Sequence, residues 1–307
     1  MTHIIPRNLI KHLEWTPGQE PTTHSQSVPI MTPFQNISQY SIDDILKGKT
    51  FFSEEKDGAK YIGLPIALTQ ALEYATFDGI VATMPELISA KIKADKSHDF
   101  WQKWYSVHTE ENIGIDKKGL FYKKNEPVLV IVNGGGILTP ERIKQAYTEG
   151  LIDNSAKYTD TEFNDLLEGK LPSGITIPLY NFEDIKTGKS GLPHQFGVVM
   201  PYSIAQGTSS GYHQKEAFLE NPLVIARAAG VLDQLEAYYK LAKADDNDLG
   251  NYHPFSGRDA TTSQGRLLYL SNYYDGLNGS YNLNNDGRFV GVAPEAQGKK
   301  KIEGLNS

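Results

Sequence analysis

The chain contains no cysteine in 307 residues. That absence excludes disulfides, thiolate zinc sites, iron–sulfur clusters and cysteine nucleophiles, and leaves oxygen and nitrogen chemistry alone. Basic charge is also scarce, with 30 Lys and Arg against 37 Asp and Glu and a net charge of −7. Binding to a phosphate backbone leaves a basic footprint, so nucleic acid is not an expected partner. No stretch approaches the roughly 18 apolar residues that cross a bilayer, and the first twenty residues lack the apolar run of a secretory leader. No membrane partner and a cytoplasmic location are therefore expected.

Hydrophobic residues make up 39% of the chain and charged residues 22%, the proportions of a packed globular protein. The periodicities alternate between helix and strand, so the expected fold is mixed, α/β or α+β, in one large body spanning residues 41–298. Before it, Pro6, Pro17, Pro21, Pro29 and Pro33 break up residues 1–40 and predict an extended arm. Trp15, Ile30, Met31 and Phe34 give that arm apolar anchors for its own domain or a neighbouring subunit. The lysines at 299–301 begin a solvated tail over residues 299–307.

Several elements can be placed. Ser41 caps a short helix that Gly48 closes, a second helix covers 65–75, and a third follows Pro85. Phe100, Trp101, Trp104, Tyr105 and Val107 read as a buried helix face. Val128–Val132 is an apolar run of buried-strand character, followed by Gly134, Gly135 and Gly136 and then by a helix capped by Thr139 with Pro140 in its first turn. A capped helix is expected over 158–169, with strands interrupted by Pro178 and ending near Pro201. The long apolar stripe of 222–243 predicts the central helix of the C-terminal half. A last helix is expected over 263–274, and a short strand over 288–292.

Several motifs bear on chemistry. The Gly134–Gly136 turn leaves a strand and opens toward a helix, where backbone N–H groups suit a phosphate or carboxylate. Thr187–Gly191 contains Gly-Lys-Ser, but Glu183 stands where a phosphate loop needs its first glycine, so a polar turn is expected. Thr208, Ser209 and Ser210, followed by His213 and Glu216, could supply a nucleophile and a base, although hydroxyls before a helix usually cap it. Asn282, Asn284 and Asp286 alternate as in a calcium loop, but Ala293 occupies the position of its final glutamate, which favours a hairpin turn. His194, His213 and His253 lack the spacing of metal ligands, so no metal site and no cofactor is assigned.

The densest polar group is the loop that holds His253, Ser256, Arg258, Asp259 and Arg266. There His253 is a candidate general base with Asp259 beside it, and Arg258 and Arg266 are candidate binders of an anionic group. His253-Pro254-Phe255 and the later Gly265-Arg266 resemble part of the motif of the Fic nucleotide transferases. The pattern departs at Gly257, where that family has an acidic residue, and at Asp259, where it has asparagine, so the chain is not placed there. Two functions are left open. One is an enzyme, a transferase or hydrolase acting on a phosphorylated or carboxylated small molecule, with Gly134–Gly136 and the 253–266 loop forming its site. The other is a non-catalytic protein that self-associates as a homo-oligomer through the arm and the tyrosine- and asparagine-rich segment from Tyr273 to Arg288.

Overall fold

The computed structural model describes residues 40–54, 63–242, 248–272, 276–280, 283 and 285–294. All of these fall in one compact unit, Gln35–Ser307. The expected arm, the 299–307 tail, and Asn282 and Asn284 of the calcium-like loop lie outside the described residues.

Among the described residues helices and strands are mixed, as expected, and the strands form two sheets. The smaller has the order β1 (Lys49–Ser53), β12 (Gly287–Val292), β2 (Ile80–Val81), and both of its pairings are antiparallel. The larger has nine strands. Its main path runs β6 (Leu179–Asn181), β7 (Phe196–Pro201), β4 (Glu126–Asn133), β3 (Tyr105–Asp116), β10 (Gln264–Leu270), β11 (Leu277–Asn278), β9 (Leu249–Tyr252), β8 (Gly211–His213). Off that path, β5 (Ala156–Lys157) pairs with β10.

Both faces of the large sheet are covered. Along β4, Val128, Val130 and Val132 join a core with Ile143 and Phe163, whereas Leu129 and Ile131 join another with Val198, Leu223 and Phe255. A strand buried on both sides reads as a continuous apolar run, which is why β4 is legible in the sequence. Its central neighbour β3 is different. His108, Thr109, Glu110, Glu111 and Asn112 are all buried in it, so it carries no apolar periodicity to betray it.

Local signals hold where they were strong. The Ser41 capping box, the Thr139 cap on Pro140–Glu149 and the Thr159 cap on Asp160–Leu167 are all formed. Pro178 precedes the edge strand β6, where a missing donor is tolerated.

Four expectations are corrected. The aromatic group at 100–107 is buried but not one helix face: a single turn, Asp99–Gln102, gives way to β3 at Tyr105. The 222–243 stripe is two helices, Pro222–Arg227 and Leu235–Ala242, joined by a 3-10 turn after Gly230, whose φ is 94°. Residues 264–270 form β10 instead of a last helix, because Arg266 pairs in register with Glu111 and Gly265 with Asn112 on β3. His213 belongs to strand β8, not to the helix that begins at Lys215.

Candidate functional site

Glu110 and Glu111 are consecutive on β3, so their side chains leave the sheet on opposite faces. Each is buried and each is surrounded by groups that the sequence analysis singled out.

On the Glu110 face lies the glycine turn. Gly134 and Gly135 have φ of 78° and 92°, a region that favours glycine, and both backbone N–H groups donate to the carbonyl of His108. Beyond the turn, the N–H groups of Ile137 and Leu138 donate to the two carboxylate oxygens of Glu110 at 2.7 and 2.9 Å, and Asn112 Nδ2 donates at 3.1 Å. A Cβ at Gly136 would collide with the same carboxylate. The backbone N–H groups that follow this turn are thus taken by a carboxylate of the chain itself. Burial pushes the Glu110 carboxyl up to about 7 against the lowering effect of its three donors. Beside it, burial and the neighbouring His194 hold His108 down at about 3.

The opposite face is organised by Arg227, which neither functional scheme had included. Its guanidinium is fully buried, as is the Glu111 carboxylate it meets at 2.8 Å. Nη1 also donates to Asn251 Oδ1 at 2.7 Å and to the carbonyls of Leu277 and Tyr252 at 2.8 and 3.1 Å. One side chain thus ties β3, β9 and β11 together. The sequence signal was an arginine inside the apolar run Leu223–Ala229, a position where a charge must be paired.

Around this hub stand the predicted site residues. His253 Nε2 lies 3.0 Å from Thr208 Oγ1, and Phe255 N donates to Nδ1 at 3.4 Å. The Thr208 hydroxyl directs its only proton to the Ala205 carbonyl at 2.7 Å. With the hydroxyl proton on Ala205, Nε2 is the donor to Thr208 and Nδ1 the acceptor from Phe255 N, the arrangement of a neutral ring. Burial and the charge of Arg227 hold His253 at about 4, in agreement with that form. Arg258 donates from Nη2 to the Asp153 carbonyl at 2.7 Å and from Nη1 to Gln264 at 3.4 Å. Asp259 is exposed and accepts from the backbone and hydroxyl of Thr261, both at 2.8 Å. Arg266 is buried, bound to the Gly279 carbonyl at 3.0 Å and to Ser155 Oγ at 2.6 Å.

The structure thus brings His253, Arg258 and Arg266 to one end of the fold, where the loops at 153–155, 253–262 and 279–280 meet. Gly134–Gly136 is not among them, since its turn closes over the other face of β3. Adjacent to the loops is an open cleft of about 410 Å³ lined by Ser203, Thr208, Ser209, His213, Glu220 and Asn221. His213 Nε2 is buried there without a hydrogen-bond partner among the described residues, and burial lowers its pKa. Tyr212 stands over the neighbouring strand, 52% exposed and edge-on to Tyr252 at 5.8 Å. Among the described residues, no group of three or more His, Asp or Glu side chains could hold a metal ion, and no helix is long and apolar enough to cross a membrane.

No family model matches the chain, and no curated protein matches it. Among solved structures, the chain is similar to one described as "Accommodation of massive sequence variation in Nanoarchaeota by the C-type lectin fold". The two are 26% identical, with a TM-score of 0.59, over 80% of this chain and 97% of that one.

Proposed function

We propose that this chain is a non-catalytic binding protein that presents a polar recognition face on a lectin-like scaffold. The face consists of the exposed parts of the 153–155, 253–262 and 279–280 loops, together with the cleft at Thr208–His213. The observation that carries this reading is the division of labour among the loop residues. His253, Arg258 and Arg266 spend their polar atoms on the scaffold, His253 with Nε2 against Thr208 and Nδ1 accepting from Phe255 N. Between them, Asp153, Asn154, Ser256, Asp259, Thr261 and Ser280 are exposed and take little part in the core.

The similar protein supports the same division, because its C-type lectin fold is described as accommodating massive sequence variation. A buried hub with small polar residues at its rim meets that requirement: the rim can change while Arg227, Arg266 and His253 hold the loops. Arg258 and Asp259 lie at the boundary, the first anchoring the longest loop and the second displayed from it.

A library randomised at residues 256, 259, 261 and 280 tests the proposal. Most members should retain a cooperative unfolding transition, and selection against immobilised proteins and glycans should yield binders. A protein that hydrolyses or transfers a phosphorylated substrate, and loses that turnover on His253→Gln with its melting temperature unchanged, would refute it.

A further inference from the structure

Away from the loop face, the small sheet displays two cations laid on aromatic rings. On one side of β1, Lys49 Nζ lies 5.1 Å from the ring centroid of Phe51 and 5.3 Å from that of Tyr74. On the other side, the Arg288 guanidinium lies 4.4 Å from Phe52 and 5.2 Å from Trp104. Phe52 and Arg288 are direct cross-strand neighbours. Among the described residues neither cation has a carboxylate partner, and Arg288 Nε is buried with no hydrogen bond. Asp99, a neighbouring acid, is bound by Lys103 at 2.6 Å. Among the described residues β1 pairs only with β12, and none of the described strands lies along its outer edge. Lys49, Thr50 and Phe52 are exposed along it.

We infer that the open edge of β1 receives an extended acidic segment of a partner protein. A strand added to this edge projects successive side chains to opposite faces, so two neighbouring acidic residues reach Lys49 on one side and Arg288 on the other. The aromatic rings hold each cation in place and leave it partly desolvated, which strengthens pairing with a carboxylate. A small free acid is a poorer occupant, because this platform is open and would leave most of such a ligand in water. A second copy of β1 is poorer again, since it would set one pair of cations against another.

The test is fluorescence anisotropy of the full chain with a fluorescein-labelled Val-Thr-Glu-Glu-Val-Thr peptide. Two control peptides carry lysine in place of glutamate or N-methyl groups at alternate amides. The acidic peptide should bind, increasingly weakly as salt is raised. The lysine and N-methyl peptides should fail to bind. Arg288→Gln and Lys49→Gln, each confirmed as folded by its unfolding transition, should weaken binding by roughly tenfold apiece. Absence of binding, equal binding of the lysine peptide, or undiminished binding of the N-methyl peptide overturns the inference. So does a dimer in sedimentation that Arg288→Gln dissolves, which would assign the edge to a second copy. None of these outcomes touches the loop face.

Discussion

Replacing Arg227 by methionine tests the hub directly. Methionine fills much of the same volume, so the loss is chiefly electrostatic. It strands the buried Glu111 carboxylate, together with Asn251 Oδ1 and the carbonyls of Leu277 and Tyr252. Removing one partner of a buried ion pair costs roughly 3–5 kcal/mol, because the remaining charge is uncompensated. That is a large share of the roughly 5–15 kcal/mol by which a domain is stable. Urea unfolding near neutral pH should show the loss, and hydrogen exchange should locate it in 249–258 and 276–280, the segments that Arg227 ties together. The double variant Arg227→Met with Glu111→Leu should be less destabilised than the sum of its singles, since no charge is then left unpaired. A single-variant loss below about 1 kcal/mol, or strict additivity in the double, would refute the role assigned to the pair.

The two buried titratable groups on the opposite face predict opposing pH dependences. His108 falls from 6.5 when unfolded to about 3 when folded, so its contribution is present above pH 6.5 and is lost as pH falls toward 3, by up to about 5 kcal/mol. Glu110 rises from 4.5 to about 7, so its contribution is present below pH 4.5 and is lost as pH rises through 7, by up to about 3 kcal/mol. Urea midpoints across that range should lose their acid slope in His108→Gln and their neutral slope in Glu110→Gln; unchanged slopes would discard the assignments. Gly279→Ala places a methyl group against Glu111 Oε2 and Arg227 Nη2. It should destabilise by roughly 1–3 kcal/mol in thermal unfolding, and a neutral effect would mean the hub is looser than its geometry.

What could be seen in the sequence followed local causes. The β4 run and the Thr139-Pro140 start need no distant partner to be recognised, and both are where their residues put them. β3 depends on partners far away in the chain: Glu110 on the turn after β4, Asn112 on Tyr158, Glu111 on Arg227. No window of its own residues reports them. The same cause misplaced 264–270, whose leucines suit a helix until Glu111 and Asn112 are known to lie opposite. The stripe at 222–243 failed differently, because the apolar spacing continues across Gly230 while the backbone does not. Of the candidate site, the polar loop was legible as a concentration of His253, Arg258, Asp259 and Arg266, and three of these gather. Their engagement within the scaffold was not, since it rests on Thr208, Asp153, Ser155 and Gly279.

The adjacency of Glu110 and Glu111 joins these observations. Two acids in sequence on a central strand would each be costly to bury without partners. The chain satisfies one with backbone N–H groups from a glycine turn and the other with an arginine from a helix. Each solution pins a different loop system to the sheet from a different side. The Gly134–Gly136 turn accordingly packs on the Glu110 face of β3, whereas Phe255 and Ala260 of the 253–266 loop join the core on the Glu111 face. The arrangement also places the structural demand on buried groups beneath each loop. Substitution at the exposed rim then leaves both pins intact, the condition under which one fold can carry many surfaces.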